Sequence, residues 1–336
     1  MSQNFALLVA ADTCPGVPVP RAPYAEAGAA ALAEVLRRYL TPPPDVTLLA
    51  GAHATKTAVE SRLRQLRKRV QPGDVVYLFW AGRVFAEAGQ NYLLGADAQA
   101  DDLPDTAVPL ADLLDALAAS PCERFFVFLD AGTAGEGFSL AAEELEEFAK
   151  TSEKGVCFTS GIGEEPSHAD ESRQRGVWAH LLAEAFAGRA KAAQARPGVL
   201  TVGSLQAYLE QELPRELRKV LTEPAAQTPG CFGGLPGGAE VARVTGRGAE
   251  VAPAAPPVDL SQLRRAVLRA EAAQRVKSLG GFQKGHRLPD AVTPSAEKFV
   301  ARIAQEDVRA DIDEIYNALR EELGFKRKDL EASAEA

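Results

Sequence analysis

The feature that most constrains the fold is a regular alternation of short apolar runs with longer amphipathic segments, from the N-terminus to about residue 245. Two of the runs, VVYLFW at 75–80 and RFFVFL at 124–129, are almost entirely apolar. Strands of this kind are typical of parallel sheets that helices cover on both faces. The alternation therefore predicts an α/β fold, with a mainly parallel sheet of about six strands between two helical layers.

The individual elements follow from the spacing of apolar residues. The predicted strands are Phe5–Ala11, Val46–Leu49, Val75–Trp80, Arg124–Leu129, Val156–Thr159 and Glu240–Val244. Segments with apolar residues every three or four positions are predicted helices, and they are Tyr24–Tyr39, Lys56–Val70, Leu110–Ala119, Ala141–Thr151, Trp178–Phe186 and Val202–Leu221.

A change in composition near residue 245 indicates the end of this domain. Residues 246–258 are rich in Ala, Pro and Gly, which is typical of a linker. The strand pattern is absent beyond it, whereas Leu260–Leu279 and Phe299–Leu323 have helical periodicity. We therefore predict an α/β domain at 1–245, a linker at 246–258, a helical C-terminal segment at 259–328 and a frayed tail at 329–336.

The charge of the chain argues against some classes of partner. The net charge is −9 and the isoelectric point is near 5.2, which disfavours nucleic-acid binding because phosphates require a basic face. The basic run Arg62–Arg69 fits one solvated helix face. Because no apolar stretch reaches the ~18 residues of a membrane span, and Phe5–Ala11 is too short for a signal peptide, we expect a cytoplasmic protein without a membrane partner.

The cysteines do not indicate a metal or redox site. Cys14, Cys122, Cys157 and Cys231 lie far apart, without a CxxC pair or a Cys/His cluster. We expect them to be small buried residues in a reducing compartment, and we predict no cofactor.

Two strand exits are the places to look for functional groups, because such groups lie at the carboxyl ends of the strands in open α/β sheets. The first exit reads GDVVYLFWAGRV (73–84) and the second reads RFFVFLDAGTAGEG (124–137). Each strand ends in small residues, which permit a close approach of other groups to the backbone.

These exits resemble those of the caspase-like cysteine peptidases, specifically the bacterial metacaspase-like group. In that family the first exit reads approximately Phe-Ser-Gly-His-Gly, and its His is the general base. The second reads Leu-Asp-x-Cys-His-Ser-Gly, and its Cys is the nucleophile. In this chain the family's His falls on Arg83 and its Cys falls on Gly132.

Further segments, in the same order, extend the resemblance over roughly residues 4–245. They are NYLLGADAQADDL (91–103), PLADLLDAL (109–117), GVCFTSG (155–161), RGVWAHLLAEAFAGRA (175–190), GVLTVGSLQAYL (198–209) and TPGCFG (228–233). The resemblance implies a caspase-like three-layer sandwich.

The two departures remove the groups on which the family's mechanism depends. A cysteine peptidase needs a thiolate that a nearby imidazole generates. Gly132 has no side chain, and an arginine, with a pKa above ~12, does not act as a base at neutral pH. We therefore predict no catalytic residue at these positions and a protein that is not an enzyme.

A relocated catalytic pair is the alternative, which would make the chain a divergent endopeptidase that cleaves after Arg or Lys. Cys157 with His168 is the candidate pair, although VCFT reads as a buried strand, where a cysteine is usually inert. Thr133 and Ser160 also lie near strand ends, but no base falls at a motif position beside them.

Asp130 matches a family residue that helps to form an acidic pocket for basic side chains. With Arg83 across the crevice, we predict an internal Asp130–Arg83 pair that would close this pocket. Ligand binding by Asp130 and Arg83 is the alternative.

Asp97, Asp101 and Asp102 are calcium candidates, because they lie where some metacaspases bind that ion, and hard cations prefer several oxygen ligands. The stretch after Gly132 offers Ser139 and Leu140 where a further aspartate would be needed. We therefore predict a solvated acidic loop and no metal site.

The sequence thus favours an inactive caspase-like protein that works as a binding, scaffolding or regulatory protein, with a protein partner or self-association. The C-terminal segment would then pack on the domain or on a partner, since the apolar stripe in Phe299–Leu323 is wide enough for either role.

Overall fold

The computed structural model describes residues 2–132, 140–221 and 225–245. All of them lie within the unit Met1–Glu250. The predicted linker, helical C-terminal segment and tail lie outside the described residues, so that part of the domain scheme stays a prediction. Within the three described ranges, no helix combines the length and the apolar composition that crossing a membrane requires.

Strands and helices alternate along the described chain. The strands are β1 Asn4–Ala10, β2 Asp45–Ala50, β3 Val75–Glu87, β4 Gln90–Leu94, β5 Val108–Pro109, β6 Arg124–Gly132, β7 Gly155–Thr159, β8 Ala169–Asp170, β9 Arg175–Gly176, β10 Gln194–Arg196, β11 Val199–Thr201, β12 Gly230–Gly233 and β13 Glu240–Arg243. The helices are α1 Ala25–Tyr39, α2 Lys56–Arg69, α3 Leu103–Thr106, α4 Leu110–Ala118, α5 Ala142–Thr151, α6 Val177–Phe186 and α7 Val202–Val220.

The main sheet has the strand order β12-β7-β6-β3-β1-β2 along its principal path. The pairs from β7 to β2 are parallel, and β12 pairs antiparallel with β7 at one edge. The predicted fold class, an α/β sandwich around a mainly parallel sheet of about six strands, is confirmed. Strands β3 and β6 lie in the interior of the sheet, which explains why their sequences are apolar on both faces.

Helices cover both faces of this sheet, as expected. On one face, α2, α4 and α5 contribute Leu63, Leu113 and Leu145 to a continuous buried cluster with the strands. On the other face, Leu32 of α1 and Phe186 of α6 lie against β1, β3 and β6. The two faces are called here the α4 face and the α6 face.

Strand β3 continues beyond its predicted end at Trp80. Its second half pairs antiparallel with β4 around a two-residue turn, in which Ala88 and Gly89 have φ values of 50° and 81°. Positive φ at both central positions is the signature of a type I′ hairpin turn. Because the strand is extended in this way, Arg83 lies within a strand and not in a loop.

The last predicted strand is present as β13, but it does not join the main sheet. It pairs with β11 in a small antiparallel sheet of order β10-β11-β13. The Tyr77 hydroxyl in β3 donates a hydrogen bond to the Val241 carbonyl at 2.8 Å, which ties this small sheet to the α6 face.

Phe128 is the centre of the aromatic packing on the α6 face, and its replacement by Ala should destabilise the fold. Its ring stacks on Phe158 at 5.3 Å between centroids and meets Phe186 edge-on at 5.6 Å. We expect Phe128→Ala to lower the free energy of unfolding by about 3–5 kcal/mol in chemical denaturation, because a cavity replaces the ring. Phe148→Ala, at a half-buried ring, is the control and should cost clearly less. Equal losses would contradict this role of Phe128.

Candidate functional site

The two strand exits lie side by side because β3 and β6 pair in parallel along their whole shared length. In this register Arg83 is the partner of Gly132, and Ala81 is the partner of Asp130. The structure therefore brings together the three residues that the sequence singled out, where the parallel pairing of β3 with β6 ends. We call this place the crevice.

Arg83 is buried in the crevice and binds main-chain oxygens. Its Nη1 donates to the Gly132 carbonyl at 3.2 Å, its Nε donates to the Pro20 carbonyl at 3.1 Å, and its Nη2 donates to the Arg21 carbonyl. Burial lowers the pKa of the guanidinium, while the nearby Cys14 and Asp130 oppose that shift. Arg83 thus joins the segment before α1 to the end of β6.

The side-chain position of Gly132 is occupied by another part of the chain. A Cβ atom on Gly132 would lie 2.5 Å from both the main-chain nitrogen and the Cβ of Ser167. Real Cβ atoms essentially never approach so closely, so even alanine at this position requires the chain to shift. Ser167 belongs to residues 160–168, which we call the crevice loop.

The crevice loop is held in place at several points. The Ser160 amide donates to the Leu129 carbonyl at 2.8 Å, and the His168 amide donates to Oε1 of the buried Gln227 at 3.2 Å. Near the middle of the loop, Glu165 accepts hydrogen bonds from both the amide and the hydroxyl of Thr228. The loop therefore sits in the crevice as an ordered part of the fold.

Asp130 is also buried, and its carboxyl is engaged with its surroundings. The Ser167 hydroxyl donates to Oδ1 at 2.5 Å, and Oδ2 lies so close to Gly176 that a Cβ there would approach it to 2.8 Å. Burial raises the pKa of Asp130, against the opposing effects of the Ser167 hydroxyl, the Ala179 amide and the charge of Arg83. Arg83 thus acts on Asp130 as a nearby charge, and the direct ion pair stays a prediction.

Little space remains in the crevice. The cavity bordered by Tyr24, Arg83, Asp130, His168 and Gly176 has a volume of about 30 Å³. This is enough for about one water molecule, whereas ligand pockets commonly measure ~300–1,000 Å³.

The candidate replacement pair is split between two environments. Cys157 is fully buried in the cluster of the α4 face, with Leu145 of α5, and burial raises the pKa of its thiol well above the ordinary value. His168 instead borders the crevice cavity with Asp130, which contacts α6. Since the two faces are separated by the sheet, this arrangement does not favour a Cys157–His168 pair.

Cys14 and Cys231 are also poorly suited to act as nucleophiles. Burial raises the pKa of Cys14 to about 11 and that of Cys231 to about 12, so both remain thiols at neutral pH. Thr133, which the sequence placed at the second exit, lies outside the described residues.

Of the three calcium candidates, Asp97 and Asp102 make hydrogen bonds that stabilise nearby helices. The Asp97 carboxylate accepts a hydrogen bond from the Lys56 amide at 3.0 Å, in the first turn of α2. The Asp102 carbonyl accepts from the Thr106 amide at 3.1 Å in α3, and Asp101 is exposed in the turn before it. In the described ranges, no three His, Cys, Asp or Glu side chains gather in a manner suited to a metal ion.

Sequence reasoning missed the residues that fill the crevice, namely Ser167, Gln227 and Gly176. Ser167 and Gln227 lie in segments without periodicity, so no local pattern marked them. The only available signal was Gly176, at the start of the helix in RGVW, where a glycine permits close approach.

Comparison with known proteins finds matches among solved structures and none elsewhere. No family model matches the chain, and no curated protein matches it. Among solved structures, a Geobacter sulfurreducens protein is 16% identical with a TM-score of 0.47, covering 70% of this chain and 94% of that one. Caspase-1 from Spodoptera frugiperda is 12% identical with a TM-score of 0.46, covering 72% and 88%. A pro-sf-caspase-1 structure is 13% identical with a TM-score of 0.45, covering 69% and 91%.

Substitution of Gly132 by Ala should destabilise the protein, because the added methyl group meets the Ser167 backbone. We expect a loss of about 1–3 kcal/mol in the free energy of unfolding, measured by chemical denaturation. Gly238→Ala is the matched control, since nothing lies within 4 Å of its Cβ position, and it should change stability by less than about 0.5 kcal/mol. A neutral Gly132→Ala would mean that the crevice loop does not fill this position.

The buried carboxyl of Asp130 should make stability depend on pH. Because its pKa is raised in the folded state, the folded protein keeps a proton that the unfolded chain releases. This contribution is complete below the ordinary aspartate pKa of roughly 4, and it is lost as pH rises towards the raised folded value. Asp130→Asn cannot titrate, so its free energy of unfolding should rise relative to that of the natural protein between pH 4 and 8.

The difference should change by at most ~1.4 kcal/mol per pH unit, as measured in urea at steps of pH. Ser167→Ala is the companion variant. It removes a donor that lowers the pKa of Asp130, so the pH-dependent loss of stability should extend to higher pH than in the natural protein. Parallel pH profiles for the natural protein and Asp130→Asn would contradict the raised pKa.

Proposed function

We propose that this chain is a catalytically inactive, caspase-like pseudo-peptidase that works in the cytoplasm as a binding, scaffolding or regulatory protein. The observation that carries the proposal is the crevice itself. At its two strand ends the chain presents the Arg83 guanidinium and the bare backbone of Gly132, in direct register. Amide hydrolysis by this family's mechanism needs a thiol and an imidazole at those positions.

The packing around Gly132 supports the same proposal. A cysteine at 132 would place its Cβ against Ser167, so the crevice has no room for the family's nucleophile. Arg83 supports it too, because its guanidinium is committed to the carbonyl oxygens of Pro20, Arg21 and Gly132. An arginine in this setting holds the crevice together and does not accept a proton.

The alternatives have less support. A relocated peptidase would need Cys157 and His168 to meet, although Cys157 lies in the cluster of the α4 face and His168 borders the crevice. A small-molecule binder that uses Asp130 and Arg83 would need more space than a cavity of about 30 Å³. Binding through outer surfaces of the domain is consistent with both observations.

The proposal predicts that the natural protein has no peptidase activity. Incubation with fluorogenic peptides that carry Arg or Lys before the scissile bond should give no turnover above a buffer blank. A covalent thiol-directed peptidase probe should give no labelling that depends on the folded state. Heat-denatured protein serves as the control for nonspecific reaction with the thiols.

Two outcomes would contradict the proposal. Turnover that is lost in Cys157→Ala or His168→Ala would establish the relocated peptidase. Specific labelling that heat abolishes would show that the folded chain has a reactive cysteine, which the proposal excludes. Thermal unfolding of each variant, recorded alongside, separates lost activity from lost fold.

A further inference from the structure

The helices of the α4 face carry opposite charges on the two sides of that face. Helix α2 has six basic residues and one acidic residue, so its net charge is +5. Helix α4 has two aspartates, and α5 has four glutamates and one lysine, so together their net charge is −5. We call α2 the basic half of the α4 face, and α4 with α5 its acidic half.

Several of these charges are exposed and have no ion-pair partner among the described residues. In the basic half they are Arg67 and Lys68, and in the acidic half they are Asp112, Asp115, Glu143 and Glu146. Arg64, by contrast, has Glu60 at 3.6 Å on its own helix, and Arg69 pairs with Asp45.

The two halves lie next to each other across the sheet. Helix α2 packs on β1 and on α4, whereas α5 packs on β12 at the far edge of the sheet. The acidic half is crowded, since burial and the neighbouring Asp112 raise the pKa of Glu144. Like charges concentrated in this way gain from a cationic partner.

We propose that the α4 face is a self-association surface, on which the basic half of one copy contacts the acidic half of a second copy. A two-fold axis between the halves forms this contact twice in one dimer, which makes the interface isologous and closed. The charges balance at +5 and −5, so each half finds an equal and opposite surface. Charge complementarity of this kind fixes the orientation of the two copies and disfavours the binding of other partners.

A second copy fits this surface better than a polyanion does. A nucleic acid or an anionic membrane would be attracted by α2, but the acidic half beside it would repel the same ligand. The net charge of −9 for the chain adds to that repulsion. Only a partner with an alternating charge pattern satisfies both halves, and this chain itself provides one.

The size of the face indicates weak association. Helix α2, with 14 residues, is about 21 Å long, and three helices spaced 8–10 Å apart span roughly 25–30 Å. Each copy would then bury on the order of 500–600 Å², which is at the lower end for specific complexes. We therefore expect a dissociation constant in the micromolar range. The proposal does not depend on whether the crevice is catalytic.

The first test measures the oligomeric state of the full chain by sedimentation velocity at 50 and 500 mM NaCl. We expect a dimer at low salt, and a dissociation constant at least tenfold higher at high salt, because salt screens exposed charges. A chain that stays monomeric up to 100 µM at 50 mM NaCl would overturn the proposal. A dimer that is insensitive to salt would overturn it as well.

Charge reversal identifies the surface. Arg67→Glu with Lys68→Glu lowers the net charge of the basic half from +5 to +1, and Glu143→Lys with Glu146→Lys changes that of the acidic half from −5 to −1. Each double variant alone should lose at least tenfold in self-association, because most of the charge attraction between the two halves is then removed. A one-to-one mixture of the two variants should recover association, since both contacts of the dimer again pair opposite charges.

A matched control separates this effect from a change in net charge. Arg215→Glu with Arg218→Glu on α7, which packs on α6, changes the net charge as much as the basic-half variant does. This control should dimerise like the natural protein. Failure of the mixed variants to associate would overturn the proposed surface, provided that thermal unfolding shows both variants to be folded.

Discussion

The parallel register between β3 and β6 is the constraint on which the rest of the site depends. Nine consecutive residue pairs, from Val75 with Arg124 to Arg83 with Gly132, hold the two strand ends at the same level. Helices α1 and α6, which cover the same face of the sheet, border the crevice at these ends. Whatever residues stand at 83 and 132 must therefore share one small space with the start of α6 and the crevice loop.

The residues in this space depend on one another. Gly132 leaves room for Ser167, the Ser167 hydroxyl donates to Asp130, and Arg83 draws two carbonyls of the segment before α1 towards the end of β6. The glycine at position 132 is then part of the packing around Ser167. A larger side chain at position 132 would meet an occupied position, since a buried side chain needs space as well as chemistry.

Most elements were predictable because their signals are local. The apolar runs of β3 and β6 and the three-to-four spacing in α2 each indicate their own secondary structure. The hairpin of β3 and β4 was missed, since its second strand, Gln90–Leu94, is too short for a clear pattern. The pairing of β13 with β11 could not be predicted either, because the partners of a strand depend on contacts between residues far apart in sequence.

For the candidate site, too, local features could be predicted from the sequence, whereas contacts between distant segments could not. The sequence by itself determined that positions 83 and 132 hold Arg and Gly, and that each comes three residues after an apolar run. Only the tertiary structure decided what those residues do, because the partners of Arg83 and Gly132 come from Pro20, Arg21 and Ser167. Such partners are set by how distant segments pack around the sheet, and no local pattern of residues encodes that arrangement.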